Sequence, residues 1–149
     1  MNHDQARPAP GNTHTTAAEI VNEFLRLIML PDPLAASRFT SPDMRIVFTG
    51  GRKMSQPADC TKFNASRYKW VKKRIERTET VMADSNASAR GETVVYSLGT
   101  LYGQWPDGTP FEGNRYVDRY VVSDRLITQM DVWNDSAEWL LVRAGLATL

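Results

Sequence analysis

The chain is poor in the residues that most often make reactive centres. It has one cysteine, Cys60, and two histidines, His3 and His14, both within the first fourteen positions. A lone cysteine excludes an intramolecular disulfide and any multi-cysteine metal site, and it fits a reducing, cytoplasmic setting. Histidines confined to the N-terminal stretch remove Ser-His, Cys-His and His-based zinc arrangements from the folded body. No cofactor or metal is therefore expected. Charge of one sign is also missing. The net charge is +1, so composition gives no broad electrostatic case for nucleic acid or an anionic membrane surface. No apolar run approaches the ~18 residues of a membrane span. The stretch MNHDQARPAPGNTH lacks the apolar core of a secretory signal, and it reads as a disordered tail over 1–14.

What remains, 15–149, has the length of one domain with its own core. Thr16-Ala-Ala-Glu19 is a capping box, and Ile20, Val21, Phe24, Leu27 and Ile28 follow at helical spacing. Pro31 ends that helix. Asp32-Pro33 starts a short second one, running to about Phe39, with an N-cap and a proline at the first helical position. Asp43 to Thr49 alternates as a strand, and Gly50-Gly51 breaks it. Ser55-Gln56-Pro57 begins a third helix reaching toward Tyr68. The basic, aromatic-flanked RYKWVKKRIER opens a half-exposed strand over 73–82 and reads as a solvated sheet edge. ETVVYSLGTLYGQW and FEGNRYVDRYVV are strands joined at Pro106–Thr109 by a turn with Asp-Gly at its centre. LITQMDVWND follows as the last strand, and Asp135 to Glu138 caps a closing helix.

Helices set to one face of an antiparallel sheet make an α+β fold. A curved sheet wrapped around the N-terminal helices encloses a cone-shaped pocket, the default place for a small ligand. In the last strand Asp131 falls among apolar residues, and a buried carboxylate is costly unless paired.

The element order and three local echoes resemble the nuclear transport factor 2-like superfamily, also called cystatin-like. The nearest likeness is to its SnoaL-like polyketide cyclases, with a further similarity to phenazine-biosynthesis A/B proteins. The echoes are EIVNEFLRLIMLPDPLAASRF, Asn114-Arg115-Tyr116, and Arg125-Leu126 followed by Asp131. In those relatives an acidic residue on the last strand faces the cavity and acts as acid or base, and Asp131 matches it. The resemblance implies cofactor-free cyclisation, isomerisation or dehydration of a small apolar oxygenated compound. The alternatives are a non-catalytic ligand binder and a dimeric scaffold of the same fold.

Loop parity decides what Asp131 meets, because side chains alternate along a strand. A three-residue loop at Val122–Asp124 sets Asp131 across from Arg115. With a two-residue Asp-Gly turn in the preceding hairpin, the cavity wall then carries Tyr102, Thr100, Leu98, Val117, Gln129 and Trp133. Asp131 is the expected proton carrier, with Arg115 and Tyr102 holding a polar oxygen and Tyr68 at the mouth. A two- or four-residue loop instead places Asp131 with Asn114, Tyr116 and Tyr120, and makes Asp118 the fallback acid. The opposite, half-aromatic sheet face, with Tyr116, Asp118, Tyr120, Thr128 and Met130, is expected to look outward and pair two copies as a homodimer.

Overall fold

The computed structural model describes residues 15–81 and 85–149. The expectation for the N-terminal tail lies outside them. Helix α1 (Ala17–Ile28) starts at the capping box, with Thr16 Oγ1 accepting from Glu19 N and Glu19 Oε2 accepting from Thr16 N. Its apolar stripe, including Val21 and Phe24, is fully buried. In α2 (Pro33–Ala36), Asp32 Oδ1 accepts from Ala35 N, and a 3-10 turn continues to Phe39. Strand β1 (Thr40–Phe48) turns at Gly50-Gly51 into β2 (Arg52–Met54), a short edge strand that periodicity is too brief to announce. Then come α3 (Pro57–Arg67), β3 (Trp70–Val81), α4 (Ser85–Ala89), β4 (Glu92–Gln104), β5 (Pro110–Ser123), β6 (Leu126–Asn134) and α5 (Ser136–Arg143). Strand β3 starts three residues before the expected Lys73, and Met82 lies outside the described residues.

The strands form one six-stranded sheet in the order β2-β1-β6-β5-β4-β3. It is mixed rather than purely antiparallel, because β1 lies parallel to β6. Helix α1 lies on the concave face, where Phe24 meets Tyr120 edge-on at 6.0 Å. A bulge at Glu76 bends β3 opposite Gly99. A Cβ at Gly99 would collide with the Arg74 carbonyl, so the bend needs glycine there.

Both late hairpins differ from their expected turns. The β4–β5 loop has three residues, Pro106–Gly108, closed by Trp105 N to Thr109 O at 2.9 Å. Gly113, at φ 97, is then an extra residue in β5. The β5–β6 turn has two residues, Asp124 and Arg125, both at positive φ (51 and 65), as a type I′ turn requires. Thr128 is an extra residue in β6 just beyond it. Each bulge reverses the parity its turn would set, and together they fix which side chains enter the cone.

Two apolar clusters result. The larger lies between α1, α3 and the sheet. The smaller gathers Tyr68, Leu101, Trp105, Phe111 and Tyr116 against Trp139 and Leu140 of α5.

Candidate active site in the cone

The concave face of β4 and β5 carries Val95, Ser97, Leu101, Asn114, Tyr116, Asp118 and Tyr120, all buried. The expected cavity wall is the other face. Leu98 opposite Val117 and Thr100 opposite Arg115 share one face as expected, but that face points outward. Tyr102 there packs edge-on against Trp70 at 5.8 Å, under the Arg74 guanidinium. Trp133 is 56% exposed. The Asp131–Arg115 pair does not form. Asp131 sits across from Arg119, and its Oδ2 accepts from Arg119 Nη1 at 3.2 Å and Gln129 Nε2 at 3.0 Å. Arg115 donates from Nε to Asp135 Oδ2 at 2.7 Å, with its side chain 81% exposed. The register is displaced four residues from the expected one. An even displacement keeps Asp131 on the Arg115 face while changing its partner.

The cone opens between the end of α1, α3 and the start of β3, in a cavity of about 160 Å³. It narrows inward to a chamber of about 30 Å³ that shares the walls Ile28, Met29, Asn64, Tyr68 and Val71. Leu25, Met130 and Val132 make the chamber apolar, and Lys73 and Asn134 supply polar groups. Of the expected ligand contacts, Tyr68 lines both parts. Its hydroxyl donates to Ser136 Oγ at 2.6 Å and its ring stacks on Trp105 at 5.5 Å. Burial raises its pKa, so it stays a donor.

The unforeseen residue is Lys73. Its side chain is 9% exposed and Asp118 is wholly buried. Lys73 Nζ donates to Asp118 Oδ2 and sits 4.0 Å from the centre of the Tyr116 ring. Tyr120 donates its hydroxyl to the same Oδ2 at 3.0 Å. Asp118 Oδ1 is buried and has no hydrogen-bond partner among the described residues. The fallback acid is thus the acid on the concave face, buried behind Lys73 and lining neither cavity. Its cation comes from a strand that read as solvated. A signal was present: Val71 and Ile75 flank Lys73 at two residues' distance, as Tyr116 and Tyr120 flank Asp118. Opposite charges on two apolar strand faces of one sheet invite pairing.

The neighbouring groups hold their protons. The Tyr116 hydroxyl, which shares a 3.0 Å hydrogen bond with Ser97, is pushed up to about 12, chiefly by burial. Tyr120 lies well above the ordinary phenol range for the same reason, with the Asp118 carboxylate adding to it. Burial, then Asp59, lifts the Cys60 thiol to about 12, which leaves it a packed thiol rather than a nucleophile. Asp59 itself accepts from Ser55 N and Gln56 N at the start of α3. No group of three His, Cys, Asp or Glu side chains among the described residues could hold a metal ion. No helix among them is long and apolar enough to cross a membrane.

No protein-family profile matches this chain, and no curated protein is similar to it in sequence. Solved structures do match its fold. A nuclear transport factor 2-like protein of unknown function from Burkholderia pseudomallei superposes with a TM-score of 0.64 at 13% identity, covering 82% of this chain and 92% of that one. A Catenulispora acidiphila protein with a ketosteroid isomerase-like fold, complexed with trimethylamine, gives 0.62 at 17% identity, covering 89% and 96%. A candidate polyketide cyclase of Pseudomonas putida gives 0.61 at 15% identity, covering 85% and 96%. Identities this low speak for architecture alone. The curved sheet closed over its N-terminal helices, matched over more than four-fifths of the chain, gives this protein the nuclear transport factor 2-like fold.

Proposed function

We propose that the protein is a SnoaL-like small-molecule enzyme that performs acid/base chemistry in the cone on a small, largely apolar compound bearing a carbonyl or enol oxygen. The observation that carries this is Lys73, which lines the narrow end of an apolar pocket and is paired with a wholly buried Asp118 behind it, whose Oδ1 is unpartnered among the described residues. An ammonium has three donors. Asp118 takes one and the Tyr116 ring face attracts the charge, which leaves a donor for a ligand oxygen. Placed in a water-poor chamber, that donor stabilises the negative charge of an enolate far better than it would in water. Asp118 is the group that accepts and returns a proton, the step common to isomerisation, cyclisation and dehydration. Fold neighbours that include a candidate polyketide cyclase are consistent with such a substrate.

The experiment is a ligand screen by mass spectrometry followed by turnover assays on the compounds that bind. Asp118→Asn is expected to lower turnover by about 10²–10⁴-fold. Asp131→Asn, on the outer face, is the matched control and leaves it unchanged. Equal effects of the two substitutions would sink the assignment.

One observation favours a second reading, binding without chemistry: the inner chamber is only about 30 Å³. That reading predicts a ligand held at the mouth, with affinity indifferent to Asp118→Asn. The face expected to pair, with Tyr116, Asp118, Tyr120 and Met130, is instead buried beneath the helices; for the assembly, we propose a homodimer through the other face, which looks outward. The exposed Trp133 and the half-buried Tyr96, Leu98, Tyr102 and Val117 support it.

A further inference from the structure

We propose that Lys73 is a nucleophile that forms a covalent imine with a small aldehyde or ketone in the cone, with Asp118 moving the protons. This rests on the pocket taking oxygenated apolar compounds, and adds a bond-forming step to it.

Three features converge on Lys73. First, it is the lysine lining the inner chamber. Lys72 stands at the mouth with Nζ bound to the Met29 carbonyl, and Lys53, Lys62 and Lys69 are exposed. Second, the amine, its base and a third group that orients the base are in line. Nζ meets Asp118 Oδ2, and the Tyr120 hydroxyl donates to that same oxygen at 3.0 Å. A nucleophile, an adjacent base and an orienting group are the arrangement that activated nucleophiles share. Third, an ion pair serving structure alone would have its oxygens satisfied. Asp118 Oδ1 is buried and unpartnered among the described residues, a free position for a proton in transit.

The chemistry balances with these groups. Asp118 takes a proton from the Lys73 ammonium. Because burial penalises both charges of the pair, this exchange leaves an uncharged amine and an uncharged acid where two buried charges stood. The amine attacks the carbonyl carbon, a C–N bond forms, and the oxygen collects the proton from Asp118. The carbinolamine nitrogen, still carrying two protons, returns one to the Asp118 carboxylate, Asp118 passes it to the hydroxyl, and water leaves, so that the protonated imine remains beside an ionised Asp118 with no proton drawn from outside. Nothing is oxidised or reduced. The apolar walls Leu25, Met130 and Val132 keep bulk water from an adduct that water would hydrolyse. The protonated imine draws electrons from the neighbouring carbon, which eases the proton removal that isomerisation or dehydration requires.

The test treats the full chain with benzaldehyde and sodium cyanoborohydride at neutral pH, then maps benzylated lysines by peptide mass spectrometry. Lys73 is expected to be labelled at aldehyde concentrations that leave Lys53, Lys62 and Lys69 unmodified. Asp118→Asn should slow Lys73 labelling by about a hundredfold, while surface lysine labelling at higher aldehyde and the far-UV spectrum stay unchanged. Lys73 unlabelled while the surface lysines react overturns the proposal. Ligand-observed magnetic resonance with benzyl alcohol, which cannot form an imine, separates two failures. Benzyl alcohol bound in the wild type without Lys73 labelling overturns the covalent step and spares the pocket. Binding of neither compound overturns both.

Discussion

Removing one member of the buried pair should cost more than removing both. Asp118→Asn leaves an ammonium whose side chain is 9% exposed facing a neutral amide, and Lys73→Met leaves a carboxylate of zero exposure with Tyr120 as its donor. An unpaired buried charge costs about 3–5 kcal/mol. Neither charge sits in solvent, so no large screening discount applies. In the double variant both charges are gone and an amide remains that can still accept from Tyr120, with an expected loss of about 1–3 kcal/mol. The coupling energy is therefore about 6 kcal/mol, well beyond the ~0.2–1 kcal/mol of an exposed pair. Against a total stability of about 5–15 kcal/mol, either single variant gives up a large share of the margin yet stays folded without urea, while the double variant gives up less. Urea titration followed by tryptophan fluorescence measures all four corners of the cycle, and equal slopes confirm that the unfolded states match. Additive losses, or a single-variant cost under about 1 kcal/mol, would refute the claim that the pair is desolvated.

Other outcomes follow from the same geometry. Cys60, 2% exposed and lifted to about 12 by burial, should react slowly with a disulfide reagent at pH 8 and rapidly once the chain is denatured. The unfolded thiol ionises near 9.0 and the folded one near 12. Unfolding is thus increasingly favoured as pH rises through that interval, as it is for Tyr116 from 10.0 to about 12, so stability measured by urea titration should fall above about pH 9 and be flat just below it. Gly113→Val forces a branched side chain to φ 97 and should cost about 1–3 kcal/mol in the same titration; an unchanged midpoint would mean the bulge is not needed. Trp133→Glu places a charge at the centre of the proposed dimer face, and size-exclusion chromatography should show the wild type as a dimer and the variant as a monomer.

The elements were legible because their signals are local. The capping box at Thr16–Glu19, the Asp32-Pro33 start and the alternation of β4 and β5 each need only a few neighbouring residues. Face membership was legible too, but for a reason the chain does not obey. A two-residue Asp-Gly turn and a three-residue Val122–Asp124 loop give the right parity. The actual loops have the opposite counts, and the bulges at Gly113 and Thr128 cancel the difference. A bulge is one residue with no periodicity of its own, and Gly113 alone hints at it. What parity cannot say is which face looks inward. The face with Leu98, Tyr102 and Val117 and the face with Val95, Leu101, Tyr116 and Tyr120 carry similar numbers of large apolar groups, so hydrophobicity does not choose between them. Side-chain size does choose. Beneath helices, the concave side of a bent sheet crowds its side chains, and β4 answers with Ser97, Gly99 and Gly103 at every second position or nearly so. A Cβ at Gly103 would collide with the Trp70 carbonyl, as one at Gly99 would with that of Arg74. Once that face is taken as the interior, Asp118 is the carboxylate that needs a cation, and β3, the strand next to β4, supplies Lys73. LITQMDVWND then contributes to the cone through Met130 and Val132, which flank its charge, and through Asn134, while Asp131, buried on the opposite face of the sheet, accepts from Arg119.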